Sequence, residues 1–186
     1  MVKKIKIAID AMGGDNSPKK IVEGIKLHSK KSKNCFYRII GDSDQINQYI
    51  DTYINKENYE IIDTKEKVEG SDSALAAAKK GKNTSMWLAI ESVKKFESDI
   101  VISAGNTGAL FVIAKLNLNM IENISKPALS GLWPNKTGMN IVLDLGANIE
   151  CDEKNLEDFS IMGSSLYRSL FDNILPKVAL LNIGSE

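Results

Sequence analysis

Apolar and polar positions along this chain fall into short strand-like runs separated by longer amphipathic stretches. Ile5-Lys6-Ile7-Ala8-Ile9 is rich in β-branched side chains and reads as a strand. Ser17-Pro18 then offers an N-cap followed by proline at the first helical position. Ile21, Ile25 and His28, flanked by Val22 and Leu27, carry that helix to about Lys31. A second strand is expected over 36–40, closed by Gly41-Asp42, then a helix over 43–54 and a third strand over 59–62.

Residues 64–72 are polar and read as a loop. The stretch 73–96 has helical composition, broken at Gly81-Lys82-Asn83, with a new capping signal at Thr84 or Ser85. Residues 100–102 read as a buried strand, 106–116 as a helix, and 127–133 and 140–143 as two further strands. A helix over 155–171 would align Phe159, Met162, Leu166 and Leu170 on one stripe, and 178–183 reads as a last strand. No repeat or low-complexity linker divides the chain, so one α/β domain over 1–186 is expected. Strands alternating with helices predict a mostly parallel sheet covered on both faces, a three-layer sandwich. In such sheets ligands bind beyond the carboxyl ends of the strands.

Composition narrows the classes. The 186 residues carry 24 Lys+Arg against 24 Asp+Glu, and this balance excludes a general nucleic-acid binder. Two cysteines, Cys35 and Cys151, cannot build a disulfide framework, which points to a reducing cytoplasm. No apolar run approaches bilayer length, and the first six residues lead into a strand, unlike a signal peptide. Charge is uneven: residues 1–33 hold nine lysines against Asp10, Asp15 and Glu23. That excess is either a solvated helix face or a docking patch for an acidic partner or an anionic membrane.

The predicted strand ends share a chemistry. They lead into Asp10-Ala11-Met12-Gly13-Gly14-Asp15, Ser103-Ala104-Gly105-Asn106-Thr107-Gly108, Asp144-Leu145-Gly146-Ala147-Asn148, and Gly184. Glycine lets backbone N–H groups approach a ligand, and a helix starting near Asn106 would aim its positive end at an anion. Four such loops at one sheet edge read as an anion site, most simply for phosphate, or as ordinary strand-to-helix turns.

Other chemistries find little support. No G-x-G-x-x-G follows a strand, and Gly81-Lys82-Asn83-Thr84-Ser85 lacks the upstream glycine of a phosphate loop. The single histidine, His28, falls on a helix and reads as a packing or surface residue. Acidic neighbours Glu150 and Asp152 disfavour a thiolate at Cys151. The carboxylates show no metal-ligand spacing. Chemistry here would rest on positioning and fixed dipoles, with the substrate bringing its own nucleophile, as when phosphate attacks an activated acyl group.

The segments IAIDAMGGDNSP at 7–18, ISAGNTGAL at 102–110, KPAL at 126–129, VLDLGAN at 142–148 and LLNIGSE at 180–186 together resemble the PlsX family. These are the bacterial acyl-acyl carrier protein:phosphate acyltransferases of phospholipid synthesis. The resemblance implies transfer of a fatty acyl chain from acyl carrier protein to inorganic phosphate, giving an acyl phosphate used by a membrane glycerol-3-phosphate acyltransferase. It also implies a homodimer, a fold similar to isopropylmalate dehydrogenases and phosphotransacetylases, no cofactor and no metal, and a cytoplasmic location with peripheral contact at the inner face of the membrane.

On loop position and resemblance together, Asn106, Lys79, Lys80 and Asn182 are the catalytic candidates. Asp10, Gly13, Gly14, Asp15, Lys82, Ser103, Gly105, Thr107 and Gly108 are candidates for binding phosphate or substrate, as are Asp144, Gly146, Asn148 and Gly184. Two departures stand out. The family's arginine-containing segment before Ser-Ser-Met is here Ala77-Ala78-Lys79-Lys80-Gly81-Lys82 before Thr84-Ser85-Met86, and lysine cannot replace a bidentate guanidinium. Family chains also continue past the equivalent of Glu186, so an amino-terminal fragment or shortened gene product is expected, without full activity of its own. Two alternatives to that activity are a silent remnant that only binds acyl carrier protein or partner subunits, and a phosphotransacetylase-like enzyme using acyl-CoA.

Overall fold

A computed structural model of the chain describes residues 4–50, 54–136, 138–171 and 175–182. It divides into two compact units, residues 1–119 and 120–186.

The first unit is built on a four-stranded parallel sheet of order β3-β2-β1-β4. Its strands are β1 (Ile5–Asp10), β2 (Cys35–Gly41), β3 (Tyr59–Asp63) and β4 (Ile100–Ser103). Helix α1 (Lys19–Lys31) links β1 to β2, and α2 (Ser43–Asn47) follows β2. Helices α3 (Ala74–Lys79) and α4 (Ser85–Lys94) precede β4, and α5 (Thr107–Asn117) follows it. Strand alternation sends Ile7, Ile9, Tyr37 and Ile39 to one face, where they pack with Val22 and Ile25 of α1. Ala8 and Ile40 face the other way, onto Ala89 of α4. A third cluster joins α3, α4 and α5 through Ala77, Met86, Ile90, Ala109 and Ile113. The sheet is therefore flanked by helices, as the alternating pattern predicts.

The strand order matters more than the strand count. Successive connections run outward from β1 to β2 to β3, and then the chain returns to lay β4 on the other side of β1. That reversal creates a switch point between the carboxyl ends of β1 and β4, the place where open parallel sheets take ligands.

The second unit holds an antiparallel pair, β5 (Gly131–Asn135) and β6 (Gly138–Val142), with α6 (Glu153–Leu170) packed on β6. Helix α6 opens with a capping box, in which Asp152 accepts from the Asn155 N–H and Asn155 returns a bond to the Asp152 N–H. Phe159 of the expected stripe is buried, Met162 and Leu166 are half-buried, and Leu170 is exposed.

Several expectations are corrected. Ser17 does not cap α1; its hydroxyl donates to the Met12 carbonyl, and Pro18 occupies the cap position without a side-chain bond. The helix expected over 43–54 stops at Asn47, and residues 51–53 lie outside the described residues. The strand at 100–102 is not buried: Ile100 and Ile102 are each 50% exposed, because among the described residues β4 pairs with β1 alone within its sheet. The strand expected over 127–133 begins only at Gly131. Residues 178–182 form no strand, since no ladder partner meets them among the described residues, and Ile183 and Gly184 lie outside those residues. Four strand ends therefore do not share one sheet edge. β1 and β4 do, whereas β6 belongs to the two-stranded sheet.

Candidate active site

At the switch point, Asp10 ends β1 with its side chain 1% exposed. A buried carboxylate needs donors, and three supply them. The Ser85 hydroxyl donates to Oδ1 at 2.6 Å, the Ser103 hydroxyl to Oδ2 at 2.7 Å, and the Met12 N–H to Oδ1 at 3.2 Å. One carboxylate thus fastens the end of β1 to the end of β4 and to the first residue of α4. The Gly105 N–H donates to the Ser103 hydroxyl at 3.1 Å, which extends the clip into the next loop.

The glycines make this closeness possible. A Cβ on Gly13 would sit 2.6 Å from Asp10 Oδ2 and 2.8 Å from the Gly105 nitrogen. Gly14 has a positive φ of 85°, and a Cβ there would meet the Ala104 carbonyl at 2.6 Å. Gly13 and Gly14 therefore serve first to pack the two loops against each other.

Asn106 is the N-cap of α5. Its Oδ1 accepts from the Ala109 N–H at 2.9 Å, and its Nδ2 donates to the carbonyls of Asp72 at 2.9 Å and Gly70 at 3.0 Å. The side chain holds the 70–72 loop against the start of α5. Lys80 joins the same loop through an ion pair of 2.6 Å with Asp72. The Lys80 ammonium, and after it the Glu69 N–H, holds the Asp72 carboxyl below the usual carboxylate range. Lys79, Lys82, Asp15, Thr107 and Gly108 are exposed. Thr107 and Gly108 form the first turn of α5, whose N–H groups have no acceptor within the helix.

In the second unit Asp144 plays a parallel part with different partners. Its carboxylate accepts from the Leu129 N–H at 2.8 Å, the Asn148 N–H at 2.7 Å and the Asn148 amide at 3.0 Å. The same amide also donates to the Pro127 carbonyl at 2.8 Å. Burial pushes the Asp144 carboxyl up, and the hydrogen bonds from Leu129, Asn148 and Ala147 together outweigh it, leaving the group below its ordinary range. Gly146, with φ of 85°, makes the exposed turn between Asp144 and Asn148. Asn182 lies in the exposed segment 175–182, and Gly184 is outside the described residues.

The structure thus brings together Asp10, Gly13, Gly14, Ser103, Gly105 and Asn106 of the expected residues in the first unit, with Lys80 linked through Asp72. Asp144 and Asn148 form their own cluster in the second. Sequence reasoning missed Ser85 and the 70–72 loop. Ser85 carries a capping signal in the sequence, but its bond to Asp10 spans 75 positions and leaves no local pattern. No cluster of histidine, cysteine and carboxylate side chains suited to a metal occurs among the described residues.

Known proteins align over the whole chain. It is 67% identical over 186 residues to a phosphate acyltransferase of Pelagibacter ubique, covering 100% of this chain and 56% of that protein. It is 39% identical over 188 residues to the phosphate acyltransferases of Bradyrhizobium diazoefficiens and Afipia carboxidovorans, covering 53% of each. The chain spans about half the length of the curated relatives it matches. Residues 5–186 match the family described as "Fatty acid synthesis protein", and the chain belongs to that family.

Proposed function

We propose that this chain carries the phosphate site of an acyltransferase that moves a fatty acyl group from acyl carrier protein to inorganic phosphate. The observation that carries the reading is the switch point itself. Two glycine loops locked by Asp10 leave the first turn of an 11-residue helix exposed beside them, a suitable seat for an anion. A phosphate oxygen attacks the thioester carbonyl, the carbonyl oxygen becomes an oxyanion, and the thiolate departs to leave an acyl phosphate. The N–H groups of Thr107 and Gly108 bind phosphate, and Lys79, Lys80 and Lys82 supply positive charge. Asn106 acts as a positioning residue that fixes the start of α5. Asp144, Gly146 and Asn148 order a second loop for the substrate, and Asn182 and Gly184 contribute donors to phosphate or carbonyl.

The fold is a three-layer sandwich of the isopropylmalate dehydrogenase and phosphotransacetylase type, one domain of a longer family fold that works as a homodimer. The acidic carrier docks on the lysines of α1, among them Lys26, Lys30 and Lys31. The protein acts in the cytoplasm beside the membrane enzyme that consumes its product. No described helix is long and apolar enough to cross a membrane.

Incubating the chain with palmitoyl-acyl carrier protein and phosphate, beside the longer Pelagibacter relative, and trapping acyl phosphate with hydroxylamine tests the reading. Product that depends on phosphate, and that falls by up to roughly a hundredfold in the Asn106→Ala variant as the start of α5 is misplaced, is expected wherever turnover occurs. Turnover indifferent to that substitution in both proteins overturns the assignment of the site.

A further inference from the structure

A cavity of about 240 Å³ opens on the α1 face of the sheet. Its walls are the side chains of Ile7, Ile9 and Ile102 from β1 and β4, and of Ile21 and Ile25 from α1. Register fixes its direction. Ile9 stands opposite Ile102 and Ile7 opposite Tyr37, so the cavity follows β1 from Asp10 and Ala104 at one end to Tyr37 and His28 at the other. Three residues of strand make this about 10 Å. The far end is lined by polar groups that satisfy each other, the Tyr37 hydroxyl and His28 Nδ1 at 2.8 Å.

We propose that this cavity takes the carbonyl-proximal part of the hydrocarbon chain of the substrate's acyl group, an assignment that rests on the acyl-transfer reading above. Two observations select that occupant. The near end is lined by Asp10 and Ala104, which belong to the two loops of the phosphate site, so a chain threaded here starts at the reacting carbonyl. The walls between the two ends are aliphatic.

Gly24 sits where α1 passes the cavity, and a Cβ built there meets no atom within 4 Å. Glycine inside a helix costs about 1 kcal/mol relative to alanine, so its presence leaves room rather than stability. Lys20, exposed beside the cavity, adds a cation near its lining.

The test is a photo-crosslinking map on the unaltered chain, using an octanoyl group, whose extended length matches the cavity, with a diazirine near its methyl end. The group is presented on acyl carrier protein and, in parallel, on coenzyme A. Labelling within 19–28 and 100–104, displaced by octanoate and not by acetate, is expected from either carrier, and the faster carrier identifies the donor. Gly24→Phe should lower that labelling roughly tenfold, in line with what one filled apolar subsite discriminates. Labels confined to other segments overturn the assignment, as does undiminished labelling in a folded Gly24→Phe chain. The map reads binding without turnover, so failure to form acyl phosphate counts against the proposed reaction and not against the cavity.

Discussion

The two units hold themselves together by different means. Of the buried hydrophobic side chains among the described residues, all but Phe159 lie in residues 1–119. Residues 120–186 rely on polar links instead. Asp144 reaches Leu129 and Asn148, Asn148 reaches Pro127, Lys126 reaches the Glu150 carbonyl, and Asp158 and Asn155 both reach Ser125. Both units contain strands and an amphipathic helix, yet among the described residues only the first sandwiches its strands between helices on both faces. An apolar pattern becomes a core only where a second surface closes on it. Where it does not, part-buried hydrogen bonds to carboxylates decide local geometry, and those carboxylates titrate.

The largest test of that contrast is a pair of truncations. Ile39→Ala removes a side chain that is 0% exposed and should cost about 3 kcal/mol in denaturant unfolding. Leu170→Ala, at 51% exposure, should stay within about 0.5 kcal/mol. Similar losses at both positions would erase the distinction. Next in size, Asp144→Ala strips the acceptor from two backbone N–H groups and should destabilise the second unit by about 2 kcal/mol. Amide resonances of Leu129 and Asn148 should shift, while those of β1 and β2 stay in place.

Gly24→Ala and Gly13→Ala should move in opposite directions. The first adds a methyl group in open space and should stabilise the first unit by about 1 kcal/mol. The second drives a Cβ into Asp10 and Gly105 and should both destabilise the unit and lower activity. Melting temperatures of the two variants, one above and one below the parent, check this. Acid gives the mildest probe. With its folded pKa below the unfolded value of about 3.9, Asp144 favours the folded form above that pH. That contribution is lost as pH falls through the lowered folded value. An NMR titration should therefore show the 125–148 amides responding before those of β2; simultaneous loss would contradict it.

The sequence was most legible where local pattern and tertiary partner agree. Strands β1 to β4 and helices α1, α4 and α5 lie close to their expected places, because β-branched runs and capping residues act within a few positions. The misreadings concern partners. Residues 178–182 have strand composition but no ladder, and Ile100 and Ile102 are apolar yet half-exposed, since propensity says nothing of what lies alongside. Ser17 looks like a cap but bonds to Met12. At the site, Asp10, Ser103, Gly105 and Asn106 could be picked out as strand-end residues, whereas their fastening through Ser85 and Gly70 joins distant positions and was invisible.

The β1–β4 pairing also constrains how the molecule can be made. Asp10 and Ser103 are 93 positions apart, and β1 has one unpaired edge until β4 exists. At ordinary rates of synthesis that interval is about 5–20 s, during which β1, β2 and β3 can join but the switch point cannot. Loop closure over such a span is slow, so the anion seat arises together with β4. Nascent chains arrested before Ile100 should expose the β1 edge to proteases or to a strand-capturing chaperone, and release past α5 should remove that vulnerability in one step.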